Sequence, residues 1–286
     1  MNSLTDKVMK KHNLKDMKKA ELVSVFLENF RLGAFLAGCV ARRLQAEVSL
    51  QHKNGDSDES SALTAVDLAA QDVILSLLYA GLPEIAVDAE EDTPLVGLFA
   101  AEDGRPLIII DPIDGTLNYY RKSEDYAVMA ALCIDGRYEA AAVYFPAVGA
   151  LYWTDGGQCL YRRNGGSGQA CKIEENDRTV LVSPFVPDRL CQQLEKGGFS
   201  TILSRCSAVD ALAPVLGRAT AAVSCRIDRR SAVGWPITLA AGGGLVVDNG
   251  FWHGEDPADR YEKQALVVVA GSPQEAERIG RLLGAT

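Results

Sequence analysis

Eleven consecutive residues carry the densest chemistry in the chain: Asp111-Pro112-Ile113-Asp114-Gly115-Thr116-Leu117-Asn118-Tyr119-Tyr120-Arg121. They follow an Ile-rich apolar run, Pro106-Leu107-Ile108-Ile109-Ile110, which reads as a buried strand and puts Asp111 at its carboxyl end. Pro112 fixes one φ and biases Asp111 away from helix, so a turn is expected there. Across that turn two carboxylates three residues apart can enter one small volume, where they repel unless a cation lies between them. Oxygen ligands alone suit a hard cation such as Mg2+. Gly115 lets the backbone approach a ligand closely, and Thr116 is placed to cap a helix through Leu117-Asn118-Tyr119, whose first amides form a phosphate site. Metal and phosphate on one turn suggest metal-assisted phosphoryl transfer. A D-x-x-D pair alone also fits an ordinary polar turn; the full string is far more specific.

The elements that must position these groups are legible in the pattern of apolar residues. Lys18 to about Gln45 repeats at helical spacing through Leu22, Val25, Phe26, Phe30, Leu36 and Val40, giving one long amphipathic helix. Ser49 to Ser61 is polar, either a surface loop or a lid over an acidic site. Thr64-Ala65-Val66-Asp67 opens a second helix over Leu68–Tyr79, stopped by Gly81-Leu82-Pro83. A strand near Ile85–Val87 leads into Glu90-Glu91. Short runs at Ala127–Ile134, Glu139–Tyr144, Ala150–Tyr152 and Gln158–Tyr161, separated by turns such as Asp135-Gly136, read as an antiparallel sheet.

The second half alternates differently. Strands are expected at Thr179–Val182, Ser200–Leu203, Ala221–Cys225 and Ala265–Val269. Helices are expected at Pro187–Lys196, at Ala208–Leu216, from about Ile237, and after the capping box Ser272-Pro273-Gln274-Glu275. The change of pattern places a lobe boundary near Lys172–Arg178. It divides one compact unit into an N-terminal lobe, 1–175, with the acidic motifs, and a C-terminal lobe, 176–286, contributing to the substrate site.

Asp111 to Thr116 resembles the DPIDGT signature of the inositol monophosphatase family, magnesium-dependent and lithium-sensitive phosphatases. Thr64-to-Asp67 and Glu90-Glu91 look like that family's T-x-x-D element and glutamate pair. The resemblance spans about residues 15–285 and is strongest over 61–155. It implies an α+β fold, a layered αβαβα sandwich. Glu90, Asp111 and the Ile113 carbonyl would hold a first Mg2+, and Asp111 with Asp114 a second. Asp67 would help to place the nucleophilic water or a further ion, and Thr116 would orient that water. The amides of Gly115 and Thr116 would hold the phosphate. Glu90 is preferred to Glu91 as the first of the pair. The family implies two or three Mg2+ ions, direct in-line attack by water, and a homodimer.

One departure stands out. Where the family ends in W-D-x-A-A-G, with an aspartate on the second metal, this chain has Trp235-Pro236-Ile237-Thr238-Leu239-Ala240-Ala241-Gly242. Pro236 or Thr238 replaces the carboxylate, which puts the second metal in doubt. Asp228 is a substitute ligand, a substrate-binding residue or a salt-bridged surface aspartate. Arg226, Arg229 and Arg230 either meet a second anionic group of the substrate or pair with acidic neighbours. Asn249-Gly250 is a turn.

The expected substrate is a small phosphorylated metabolite, inositol monophosphate first because Leu117-Asn118-Tyr119 is closer to that branch. 3'-Phosphoadenosine 5'-phosphate, fructose 1,6-bisphosphate and histidinol phosphate are the alternatives within the family. A degenerate phosphate binder without efficient turnover is the alternative of another class.

The bulk properties narrow the field further. A net charge of -9 and the absence of a large basic face argue against nucleic acid, since the Lys7-to-Lys19 run alternates with acids. No apolar run is expected to span a membrane, and no signal core opens the chain. Seven scattered cysteines without metal spacing read as reduced core residues of a cytoplasmic protein. His12, His52 and His253 read as surface residues.

Overall fold

The computed structural model describes residues 14, 17–47, 51–52, 62–63, 65–100, 104–173, 178–225, 228–248, 250–256 and 265–284. His12, most of the Lys7–Lys19 run and of the polar stretch before Thr64, Thr64 itself, 174–177 in the expected boundary, Arg226 and Asn249 lie outside these residues.

The chain opens with helix α1 (Lys19–Leu44), whose inner face buries Leu22, Phe26, Phe30, Ala34, Ala37 and Ala41. Strands β1 (Gln51–His52) and β2 (Ala62–Leu63) form a small antiparallel pair before helix α2 (Ala65–Gly81). α2 starts three residues earlier than the apolar pattern suggested, because Ala65 and Val66 already fit its first turn. Contrary to expectation, α1 is apolar and long enough to cross a membrane by length and composition. Its buried face belongs to the core it forms with α2.

A seven-stranded sheet follows in sequence order: β3 (Ala86–Ala89), β4 (Leu107–Asp114), β5 (Ala127–Ile134), β6 (Arg137–Phe145), β7 (Ala150–Thr154), β8 (Cys159–Arg163) and β9 (Gln169–Ala170), with helix α3 (Thr116–Tyr120) between β4 and β5. β3 runs parallel to β4, and every other pair is antiparallel. At the β5–β6 turn Asp135 and Gly136 both take positive φ, 51° and 70°, the conformation that lets two residues reverse a right-twisted hairpin. Two of the seven cysteines are not reduced: Cys159 and Cys171 form a disulfide beside β8 and β9. Cys39 is exposed, so it is not a core residue either.

The remaining elements are β10 (Thr179–Val182), α4 (Asp188–Lys196), β11 (Ser200–Leu203), α5 (Ser207–Leu212), β12 (Ala221–Ser224), α6 (Trp235–Ala240), β13 (Gly244–Val247), β14 (Gly250–Phe251), β15 (Val267–Ala270) and α7 (Pro273–Leu282). They build a six-stranded mixed sheet in the order β11-β10-β12-β15-β13-β14. α5 is shorter than the Ala208–Leu216 pattern and α6 starts two residues before Ile237. Ser272 caps α7 as the capping box requires, its Oγ accepting from the Glu275 amide at 3.2 Å.

Alternation along the strands sorts the core into three layers. Ile108, Ile110, Val128 and Ala130 face α1 and α2. Ile109, Met129, Ala131 and Val143 face the other way, onto Val209, Leu212, Trp235 and Ile237 of α5 and α6, which also cover Leu181, Leu245 and Val269. Val180, Val182, Val223 and Val268 pack beneath α4 and α7 through Leu190, Leu194, Ala276 and Ile279. The result is an αβαβα sandwich, with the end of β4 next to the central helices.

Candidate active site

The acidic string begins inside β4 rather than after it. The strand runs through Pro112 to Asp114, with a register shift: Asp111 pairs with Met129 and Asp114 with Ala127. Three steps along β4 therefore match two along β5, a bulge. In an unbroken strand, residues three apart point to opposite faces; the extra residue brings both carboxyl groups to one side. Pro112 sits where the ladder is already broken and needs no donor.

Gly115 then takes φ 81° and ends the strand. A Cβ there would lie 2.9 Å from the Asp125 carbonyl and 3.2 Å from Cys206 Cβ, so glycine is required for both conformation and space. Gly115 occupies the cap position of α3, and Thr116 is the first helical residue, not the cap. Its hydroxyl instead lies 2.9 Å from the Ile113 carbonyl and 3.1 Å from Asp67 Oδ1. Asp67 is fully buried in the first turn of α2, where the helix dipole favours a carboxylate.

One turn further along α2, Gln71 holds the glutamate pair. Its side chain accepts from the Glu91 amide at 2.9 Å and donates to the Glu91 carbonyl at 2.6 Å. Asp67 and Gln71 are four apart and share one helix face, so a single face sets both Thr116 and the glutamates. Glu90 is the member of the pair that meets Asp111. Burial pushes the Asp111 carboxyl well above the usual range, and the charges of Glu90 and Asp114 and a hydrogen bond with Glu90 push it further. Nothing in the local spacing singled out Gln71; its i+4 relation to Asp67 was the only available signal.

Asp114 is tied elsewhere. Its Oδ1 accepts from the Ser207 amide (3.1 Å) and hydroxyl (2.7 Å), and its Oδ2 from the Ala208 amide (2.7 Å) and the Cys206 thiol (2.8 Å). Four donors at the start of α5 thus offset part of the burial that raises its pKa. Thr238, fully buried, donates its hydroxyl to the Ala211 carbonyl at 2.5 Å. Pro236 offers no donor atom.

Asp228 makes a local turn: its Oδ1 accepts from the Ser231 amide at 2.6 Å and hydroxyl at 2.7 Å. Arg230 reaches the acidic cluster. Its Nη1 lies 2.8 Å from Asp88 Oδ1, and its charge is felt by Glu90 and Asp111 as well. Arg229 sits between Asp256 (Nε to Oδ2, 2.8 Å) and Asp88 (Nη1 to Oδ2, 3.6 Å). No sequence signal singled out Asp88, which lies in β3 two residues before Glu90.

Among the described residues, no three His, Cys, Asp or Glu side chains gather closely enough to hold a metal ion by themselves. Glu90 and Asp111 nonetheless fit a first cation. They are two hydrogen-bonded carboxyls, Asp111 buried and Glu90 half-buried, and the nearby Ile113 carbonyl supplies a third oxygen. Residues for a second cation do not fit: Asp114 is saturated by donors, Thr238 faces α5, and Pro236 has no ligand atom.

Known proteins bear on this arrangement. The chain is 30% identical over 151 residues to Nus factor SuhB of Escherichia coli, 51% of this chain and 55% of that protein. It is 28% identical over 141 residues to the 3'(2'),5'-bisphosphate nucleotidase CysQ of Salmonella typhimurium, 49% of this chain and 56% of that protein. It thus spans about half the length of the curated relatives it matches. The solved inositol monophosphatase of Anabaena (Nostoc) sp. PCC 7120 superposes with a TM-score of 0.71 at 20% identity, over 92% of this chain and 96% of that one, which establishes the fold. The family model described as the inositol monophosphatase family matches residues 24–284, nearly the whole length, and the chain belongs to that family.

Proposed function

We propose that the chain is a phosphoric monoester hydrolase acting with Mg2+ on a small phosphorylated metabolite, most concretely inositol monophosphate, by direct in-line attack of water. The observation that carries this reading is one juxtaposition: the Asp67–Thr116 pair and the Glu90–Asp111 pair converge on a single bulge of β4. Bound between Glu90, Asp111 and the Ile113 carbonyl, Mg2+ would acidify the attacking water and draw charge from the phosphate.

The chain's own groups do the rest. Thr116 orients the water through its hydroxyl, with Asp67 as the acceptor that fixes the rotamer. The amides of Gly115 and Thr116 receive the phosphate oxygens, a contact that strengthens as charge builds on them. Asp114 anchors α5 to the bulge rather than holding metal. Asp228 shapes the loop that delivers Arg230.

A second substrate reading, a 3',5'-bisphosphorylated nucleoside, is favoured by the likeness to CysQ and by two arginines beside the site. The lobe division at 175/176, a homodimer and a cytoplasmic location belong to the same proposal. Exposed Leu32, Phe35 and Leu36 give α1 an apolar outer stripe that a second copy would cover. Five cysteines outside any disulfide favour a reducing compartment, while the Cys159–Cys171 bond counts the other way. The test is phosphate release with and without Mg2+ from inositol 1-phosphate, 3'-phosphoadenosine 5'-phosphate, fructose 1,6-bisphosphate and histidinol phosphate, with Asp111→Asn as the blank. Metal-dependent release absent from the blank is expected. Silence of the folded protein on all four would favour a phosphate binder without turnover.

A further inference from the structure

The second cation position lacks its ligands, yet the acidic cluster still contains more carboxylates than one divalent ion neutralises. Asp88, Glu90 and Asp111 each act on the charge of Arg230 from the edge where β3 and β4 run side by side, Asp88 opposite Ile109 and Ala89 opposite Ile110. The one side chain that the described residues bring to all three from the second half of the chain is Arg230. We propose that the Arg230 guanidinium, clamped by Asp88, replaces the second metal ion, so that the site works with one divalent cation and one built-in charge. This rests on the phosphatase reading and deepens it.

Several contacts show that the position is built rather than incidental. Arg230 is partly buried, its side chain 30% exposed. Burial works against its charge, but Asp88, Asp228, Glu90 and Asp111 more than offset that cost. The backbone carrying it is fixed on both sides. The Tyr138 hydroxyl donates to the Arg229 carbonyl at 2.8 Å, and the Arg229 side chain is gripped by Asp256 and Asp88. Asp228 closes the following turn onto Ser231. Asp88 thus has a separate duty from Glu90: it holds two arginines in place while Glu90 stays with Asp111. A planar guanidinium with five donors also suits an oxygen-rich phosphate or leaving group, which a point charge on a lysine would meet less specifically.

Calorimetric titration with Mg2+ and with Mn2+ tests this directly. Wild-type protein is expected to bind one ion per chain. Arg230→Gln should bind that ion about ten-fold tighter or more, because a like charge has been removed from beside it, while Mg2+-dependent turnover falls. Arg230→Lys should restore much of the turnover and the weaker, wild-type affinity. A merely structural role for Arg230 would instead weaken metal binding when it is lost. Two ions per chain in the wild type, or unchanged or weaker affinity in an Arg230→Gln variant that melts like the wild type, would overturn the assignment and leave the phosphatase reading standing. No ion bound at millimolar metal would overturn both. Two ions per chain in the wild type would overturn the assignment even if the variant fails to fold.

Discussion

Thr116 Oγ1 lies 3.1 Å from Asp67 Oδ1, a side-chain contact between residues 49 apart. The same hydroxyl is 2.9 Å from the Ile113 carbonyl. It has one proton and two acceptors, and its lone pairs remain available to a water. The pair joins the start of α2 to the start of α3 across the acidic bulge.

Thr116→Val keeps the shape of the side chain and removes the hydroxyl. Mg2+-dependent turnover should drop by about 100-fold or more, with a loss of about 1–3 kcal/mol of stability as Asp67 and the Ile113 carbonyl lose their donor. Thr116→Ser should retain most of the activity. A fully active Thr116→Val would show that the hydroxyl has no part in the reaction.

Asp114→Asn should lose stability as well as activity, by about 1–3 kcal/mol. The amide presents one acceptor oxygen to four donors, and its NH2 must face some of them. A chemical denaturation curve with an unchanged midpoint would contradict the anchoring role given to Asp114.

Magnesium binding should release protons. The Asp111 carboxyl is pushed well above the usual range by burial and by Glu90, so it keeps its proton to higher pH than an ordinary carboxyl and the ion competes with that proton. Affinity should therefore rise with pH until Asp111 is ionised. Titrations in two buffers of different ionisation enthalpy read this directly, and identical apparent enthalpies would refute it.

Asp210, in α5, is pushed up to about 8 by burial, with Asp114 and Asp125 adding to the rise and a Ser204 hydrogen bond opposing it. Its Oδ1 finds no partner. Unfolded, the same group ionises near pH ~4. The folded state thus binds the extra proton between those values, and its stability advantage, complete below about pH 4, is lost as pH rises through about 8. Asp210→Asn should melt like the wild type at the acid end and progressively higher than it towards pH 8. A constant gap across the range would remove Asp210 as the cause.

Thiol titration of unfolded, unreduced protein should count five free cysteines of the seven, and all seven after reductant. Closing a loop of this size is worth about 3 kcal/mol, so reduction should lower the melting temperature.

Local signals were enough for most of this fold. The β-strand runs, the Asp135-Gly136 hairpin and the Ser272 capping box were all readable, because turn chemistry and strand alternation are short-range. The acidic clusters were readable at strand ends, and the family resemblance implied that Glu90 and Asp111 act together. What escaped depends on topology. Cys171 reaches Cys159 only because β9 folds back on β8. Arg230 reaches Asp88 over 142 residues. β13, at Gly244–Val247, was not expected from the sequence. Thr116 looked like a cap because its residue type suits one; the positive φ of Gly115 moved the helix start by one residue. The same bulge that aims Asp111 and Asp114 to one side was visible only as a three-residue spacing.

The Asp114 clamp and the Asp88–Arg230 pair set an order in time. The carboxylates of α2, β3 and β4 leave the ribosome first, while the donors at Cys206–Ala208 follow 92 to 94 residues behind Asp114. Arg230 arrives later still. A nascent chain ending at β9 therefore displays a nearly complete acidic constellation with neither its anchor nor its countercharge. Competence therefore waits until the segment around Arg230 has been made and docks.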